Sequence, residues 1–126
     1  MLEILAGGGI IATLADQDAG PRGLFVDFFG RPASTHKGIA ILAIRQSALL
    51  VVAGVPKVGA PMRYEIRIED VIDPLDYAGR ADAARQITQR YTAALERLIR
   101  RHPGQYFWLH RRWKHQPQMH VQAKAA

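Results

Sequence analysis

Two carboxylates separated by one amide are the first candidates for chemistry in this chain. Asp16, Gln17 and Asp18 follow the apolar run 10–14 and precede a Gly-Pro turn. Residues that directly follow a buried strand commonly contact the substrate in α/β proteins. The same residues could hydrogen-bond an acceptor sugar or cap the following turn, and capping is the more common use of Asp before Gly-Pro. Two carboxylates without further oxygen ligands make a poor cation site, so we predict no metal.

Aromatic residues and cations follow these acids. Phe25, Phe28 and Phe29 are more often core residues than the lining of an acyl-chain pocket. Because Phe28 and Phe29 are adjacent, they face opposite sides of an extended segment, and one of them could line a groove. Three cations surround this loop: Arg22, Arg31 and Lys37. They could hold a phosphate, although basic residues in loops are usually only solvated.

The segment 102–114 interleaves aromatic residues with cations. Its four aromatics are Tyr106, Phe107, Trp108 and Trp113, and its three strong cations are Arg111, Arg112 and Lys114. One interpretation is a terminal helix docked through the first aromatics, with Arg111 and Arg112 outward. The other is an interfacial element, in which Trp lies at the level of lipid head groups and the cations pair with phosphates. Both remain open. No nucleic-acid-binding motif is present, so we expect no nucleic-acid partner.

Composition limits the class of protein. The chain has 126 residues, a net charge of +6 and an estimated pI near 10.2. Such a charge favours anionic partners. Cysteine is absent, which excludes a disulfide scaffold, a thiolate metal site and a Cys nucleophile. The longest apolar run, 48–56, is far shorter than the ~20 residues that span a bilayer, so we expect any membrane contact of these residues to be peripheral.

Hydrophobic periodicity predicts strands that alternate with helices, which points to an α/β sheet. Predicted strands cover 10–14, 24–29, 49–53 and 62–69; the first and third are continuously apolar, as in strands buried on both faces, and the last alternates as an edge strand with its charges outward. The predicted helices are the end of a helix at 1–6 with a left-handed cap in 7–9, a helix from a cap at Ser34 or Thr35 to about Gln46, and a long amphipathic C-terminal helix over 83–101, capped by Asp82. We expect the tail 118–126 to be disordered.

Five segments together carry a family resemblance. They are Leu-Ala-Asp-Gln-Asp at 14–18, Phe-Val-Asp-Phe-Phe-Gly-x-Pro-Ala-x-Thr at 25–35, Ile-Thr-Gln at 87–89, Leu-Glu-x-x-Ile-Arg at 95–100, and His-Pro-x-Gln-Tyr-x-Trp-x-His-Arg-Arg-Trp-Lys at 102–114. In order and spacing they resemble the C-terminal half of the late acyltransferases of lipid A biosynthesis. The resemblance runs from about residue 4 to residue 117.

The resemblance implies an α/β fold with a partial glycerolphosphate-acyltransferase-like mixed sheet flanked by helices. It implies that 1–117 form the C-terminal half of this domain, peripherally bound at the cytoplasmic face of the bacterial inner membrane. It implies transfer of a fatty acyl group from acyl carrier protein to a hydroxyl of a phosphorylated glucosamine lipid, without a metal or organic cofactor beyond the carrier's own prosthetic arm. The implied substrate-binding residues are Asp16, Gln17, Asp18, Arg22, Phe28, Phe29, Gly30, Arg31 and Thr35. Those implied at the lipid head group or membrane surface are Arg111, Arg112, Trp113 and Lys114.

The catalytic motif of that family, His-x-x-x-x-Asp/Glu, is not found in this sequence. Five residues beyond the five histidines stand Ile41, Phe107, His115, His120 and Ala125, none of which is a carboxylate. We therefore assign no catalytic residue and expect the N-terminal half of the domain to precede residue 1 and to supply the motif. The alternative hypothesis is a non-enzymatic module that binds anionic lipid or an acidic protein.

Overall fold

The structure, a computed structural model, describes residues 2–117. The elements are α1 (Leu2–Ala6), β1 (Leu24–Phe28), β2 (Arg31–Thr35), α2 (Lys37–Gln46), β3 (Leu50–Gly54), β4 (Arg67–Ile72) and α3 (Ala83–Arg101), with short 3-10 helices at Pro74–Tyr77 and Pro103–Gln105. The α/β class and the long amphipathic C-terminal helix are confirmed. The described strands form two separate two-stranded antiparallel sheets, β1–β2 and β3–β4. The tail 118–126 lies outside the described residues.

Strands β1 and β2 form a tight hairpin. Phe28 pairs with Arg31, and the two residues between them, Phe29 and Gly30, have positive φ angles of 56° and 74°. Two left-handed residues produce the type I′ turn that matches the right-handed twist of two paired strands. The chain therefore reverses at once, and the five residues after the turn form a strand that the sequence analysis did not predict.

The predicted helix cap at Ser34 or Thr35 is wrong. Both residues lie in β2 and are fully buried, because the hairpin turn brings them back against β1. The N-cap of α2 is His36, which makes no side-chain capping hydrogen bond, and the helix ends at Gln46 as predicted. The predicted cap in 7–9 is confirmed, since Gly8 adopts a φ angle of 77° after α1.

Helix α3 lies at the centre of the fold, with the predicted bounds 83–101. Ile87, Tyr91 and Leu98 pack with Val52 of β3 and Ile72 of β4. Near the C-terminal end of the helix, a second core cluster joins Ile99 to Phe28 and Ala33 of the hairpin. Asp82 is the N-cap, although its carboxylate accepts a hydrogen bond from the Gln86 side chain and none from the helix backbone. One amphipathic helix thus supports both sheets.

Two strand predictions are wrong in part or in full. Residues 10–14 form no strand, and Ile10 and Leu14 are exposed, because no described strand lies beside this apolar run to bury it. The predicted strand 49–53 exists as β3, shifted by one residue. Its predicted burial on both faces is wrong, since Val52 is buried while Val51 is exposed.

The predicted strand 62–69 is displaced to Arg67–Ile72. Its apolar residues Met62, Tyr64, Ile66 and Ile68 are exposed, opposite to the prediction. The acidic side chains instead turn towards α3: Glu69 pairs with Arg97 and Arg101, and Asp70 with Arg90. The inward side of β4 thus combines ion pairs to α3 with the buried Ile72.

Candidate functional site

A buried arginine ties the C-terminal segment to the hairpin. Arg112 is only 1% exposed. Its Nη1 donates to the Ser34 carbonyl oxygen at 2.5 Å, and its Nη2 donates to Thr35 Oγ1 at 2.7 Å. The guanidinium also lies over the Phe28 ring, with Cζ 5.1 Å from the ring centroid. Burial lowers the pKa of Arg112, against the opposing effect of Tyr106 and Asp18.

Asp18 makes both a local and a distant contact. Its Oδ1 accepts a hydrogen bond from the Gly20 N–H at 2.9 Å, so the predicted turn-capping role is present. The same oxygen lies 2.6 Å from Nδ1 of His115, and the Asp18 N–H donates to Nε2 of His110 at 2.8 Å. Burial alone would raise the pKa of Asp18, but the hydrogen bonds from His115 and Gly20 outweigh it, so this pKa is lowered.

Aromatic rings fill the space around the buried arginine. Trp113 stacks on Phe28 with 5.5 Å between ring centroids, and Tyr106 meets Phe28 edge-on at 6.5 Å. The Tyr106 hydroxyl donates to the Asp16 carbonyl oxygen at 3.3 Å, and burial raises the pKa of this tyrosine. Phe28 is buried and Phe29 is half-buried. The core interpretation therefore holds for Phe28, whereas Phe29 is only half-buried.

These contacts define one unit, which we call the Arg112 cluster: residues 16–20, 28–35 and 106–115. Three of its buried polar atoms have no hydrogen-bond partner among the described residues: Asp18 Oδ2, Arg112 Nε and Trp113 Nε1. A buried polar atom without a partner is costly, and such atoms are commonly satisfied by water or by a ligand. The carboxylate oxygen is therefore one acceptor, and the two nitrogens are two donors, that could still bind a water molecule or a ligand.

The predicted site residues divide into an interior and a rim. Thr35 is buried with Arg112, while Gln17, Arg22, Gly30 and Arg31 are exposed and Asp16 is half-buried. Arg31 lies against the outer side of Trp113, with Cζ 5.3 Å from the ring centroid. Of the four residues implied at the lipid head group, Arg112 is buried and Trp113 is half-buried. Arg111 and Lys114 face solvent.

Sequence analysis missed His110, His115 and Ser34 as parts of this site. His115 stands 97 residues from its partner Asp18, and Ser34 stands 78 residues from Arg112. Contacts across such distances leave no spacing pattern in a single sequence. The only local signal was the alternation of aromatic residues with cations in 102–114. Docking through the first aromatics holds for Tyr106, but no terminal helix forms within 106–115, and Arg112 is buried instead of outward.

Two kinds of site are not formed by residues 2–117. No group of three or more His, Asp or Glu side chains is arranged to hold a metal ion within this range. No helix in the same range is long and apolar enough to cross a membrane.

The fold and the cluster define an α/β protein in which widely separated motifs converge around one buried arginine. The family model of bacterial lipid A biosynthesis acyltransferases matches residues 1–115. The chain therefore belongs to the bacterial lipid A biosynthesis acyltransferase family. Comparison with curated proteins gave no match.

Proposed function

We propose that this chain is the acceptor-binding part of an acyltransferase that moves a fatty acyl group from acyl carrier protein to a hydroxyl of a phosphorylated glucosamine lipid. The observation that carries the proposal is the Arg112 cluster. Three segments that bear the family's residue pattern meet there, although the pairs that join them are separated by up to 97 residues. Family membership supports acyl transfer, and the chemistry of the rim supports an anionic, hydroxylated acceptor.

The rim offers groups suited to such an acceptor. Arg31 and Arg111 are exposed and form no salt bridge within residues 2–117. Guanidinium groups can hold a phosphate through two parallel hydrogen bonds. The Asp16 side chain makes no hydrogen bond in the described part of the chain and could accept one from a sugar hydroxyl. The half-buried Phe29 would contact an acyl chain.

The reaction requires a general base, and the family's motif for that base is not found in this sequence. The acceptor hydroxyl loses a proton as its oxygen attacks the thioester carbonyl; an ester bond forms and the carrier's thiol leaves. Since no histidine here has a carboxylate five residues on, we infer that the chain alone binds acceptor without turnover. Catalysis would then need the N-terminal half of the domain, acting at the cytoplasmic face of the inner membrane.

Binding of a phosphorylated glucosamine lipid in neutral detergent micelles tests the proposal. We expect Arg31→Gln and Arg111→Gln each to weaken binding about tenfold, because a hydrogen bond to a charged group is lost. Arg63→Gln is the matched control, since Arg63 is also exposed but lies outside the cluster. Equal binding of the dephosphorylated lipid would contradict the proposal.

An acyl-transfer assay tests whether this chain binds the acceptor while the N-terminal half of the domain supplies the base. We expect no transfer from acyl carrier protein by the chain alone, and transfer once the N-terminal half is supplied in trans. Robust transfer by the chain alone would overturn the inference that its base comes from elsewhere.

The alternative function is a non-enzymatic module that binds anionic lipid or an acidic protein. It is favoured by Arg111 and Lys114, which are exposed and form no ion pair within the described range. Binding to glucosamine lipid no stronger than to another anionic lipid of equal charge would support this function over acceptor recognition.

A further inference from the structure

Side chains of the segment 106–112 alternate between the protein and the solvent. Tyr106, His110 and Arg112 point inward, where they bond to Asp16, Asp18 and the hairpin respectively. The intervening residues point outward: Phe107 is 66% exposed, Leu109 is 84% exposed, and Arg111 is exposed. Two large apolar side chains and a cation of one short segment are therefore exposed to solvent.

Trp108, itself 48% exposed, holds this segment against its neighbours. Its indole N–H donates to the Pro103 carbonyl oxygen at 2.7 Å. Its ring packs edge-on against Tyr106 at 4.8 Å and against Phe29 at 5.7 Å between centroids. We call residues 107–109 the wedge. Because the bonds on either side anchor it, Phe107 and Leu109 are held in water, where apolar side chains are unfavourable, rather than packed into the adjacent core.

The cations beside the wedge differ from those on α3. Arg97 and Arg101 pair with Glu69, and Arg100 pairs with Glu96. Arg111 and Lys114 have no acidic partner among residues 2–117 and both are exposed. The wedge thus combines unsatisfied apolar area with unneutralised positive charge, on a chain whose net charge is +6.

We propose that the wedge inserts into the surface of an anionic lipid bilayer. Phe107 and Leu109 enter the boundary of the acyl chains, Trp108 lies at the level of the head groups, and Arg111 and Lys114 contact lipid phosphates. Of the four residues implied at the membrane surface, this assignment keeps Arg111 and Lys114, omits Arg112 and Trp113, which hold the cluster together, and adds the wedge. It goes beyond acceptor binding, since it requires neither glucosamine lipid nor acyl carrier protein.

The other large apolar surface suits a bilayer less well. The outer face of the β3–β4 sheet exposes Val51, Ile68 and Val71. Its neighbouring cation Arg67 is paired with Glu65. Because neither β3 nor β4 carries an unpaired cation, this surface should depend less on anionic lipid than the wedge does.

Site-specific labelling tests the insertion directly. The chain has no cysteine, so Leu109→Cys can carry a single environment-sensitive fluorophore. Leu75→Cys is the matched control, because Leu75 is exposed but lies between Asp73 and Asp76. The full-length chain is mixed with vesicles of phosphatidylcholine and phosphatidylglycerol whose acyl chains are brominated. We expect quenching of the label at 109 and none at 75. No quenching at 109, or equal quenching at both, would overturn the proposal.

Co-sedimentation with the same vesicles measures each contribution. We expect Phe107→Ser with Leu109→Ser to reduce partitioning by at least about tenfold, through lost apolar burial. Arg111→Gln with Lys114→Gln should reduce it by roughly 30-fold, and only on anionic vesicles at low salt. Val51→Ser with Val71→Ser should leave it unchanged. Circular dichroism checks that each variant is folded. A sheet variant that loses as much binding as the wedge variant would contradict the proposal.

Discussion

The two sheets of this chain differ in how much of their surface other elements cover. The β1–β2 hairpin is enclosed by α3 and by the C-terminal segment, so Val26, Phe28 and Ala33 are buried. The β3–β4 sheet packs only its inner face on α3. On its outer face the paired residues Val51 and Val71 are exposed. Apolar residues on both faces are typical of a sheet with a layer on each side. The comparison shows that the hairpin is covered by both α3 and the C-terminal segment, whereas the open sheet lacks a second layer within residues 2–117.

Loss of the buried guanidinium should have the largest effect on the enclosed region. Arg112→Ala removes both hydrogen bonds to β2 and leaves a cavity beside Phe28. We expect a loss of about 3–5 kcal/mol in the free energy of unfolding, measured with urea. The neighbouring Arg111→Ala is the control and should change it by less than about 0.5 kcal/mol, because Arg111 is exposed. Equal losses would show that the cluster does not depend on Arg112.

The next largest effect should be the difference in stability cost between substitutions on the two faces of β4. Ile72 is fully buried against α3, and Val71 is exposed on the opposite face. We expect Ile72→Ala to cost about 2–4 kcal/mol in the free energy of unfolding, because transfer and cavity effects add. Val71→Ala should cost less than about 0.5 kcal/mol. A similar cost for both, in a monomer, would mean that the outer face is covered after all.

The elements that sequence analysis predicted well are those governed by local pattern. Helix α3 has both bounds as expected, because its apolar spacing and its end at Pro103 lie within one segment. Strand β2 was missed because the hairpin depends on Phe29 adopting a positive φ angle, which a phenylalanine seldom does. The strand expected at 10–14 failed for the opposite reason: an apolar run predicts a strand only where neighbouring strands exist to pair with it.

The sequence allowed us to predict the separate segments of the Arg112 cluster, but not the contacts that join them. The acids at 16 and 18, the hairpin aromatics and the basic aromatic segment were all identified from local pattern. What joins them, the bonds of Arg112 to β2 and of Asp18 to His115, depends on tertiary structure. The same limit explains the outcome at Arg112, which was expected to face outward together with Arg111 but is buried, while Arg111 is exposed.

The pair of Asp18 and His115 should make the stability of the enclosed region depend on pH. The folded pKa of Asp18 lies below its ordinary value of 3.8, so the unfolded chain binds this proton more tightly. The resulting stability is fully present above about pH 5 and is lost as pH falls through the folded pKa. We expect Asp18→Asn to cost about 1–2 kcal/mol near neutral pH and progressively less in acid. Asp16→Asn is the control, and parallel pH profiles for wild type and Asp18→Asn would contradict the pairing.

Substitutions on the open face of the β3–β4 sheet should change the association of copies of the chain more than the free energy of unfolding. Both strands have an unpaired edge within residues 2–117, and exposed apolar area beside such an edge promotes contact between copies. We therefore expect concentration-dependent association of the isolated chain in sedimentation experiments, reduced by Ile68→Lys. Leu75→Lys is the matched control, because the two residues are 65% and 61% exposed and the change in charge is the same. Neither variant should alter the free energy of unfolding by more than about 0.5 kcal/mol. A wild-type chain that stays monomeric at every concentration would mean that the outer face needs no cover, and the contrast between the two sheets would then concern burial alone.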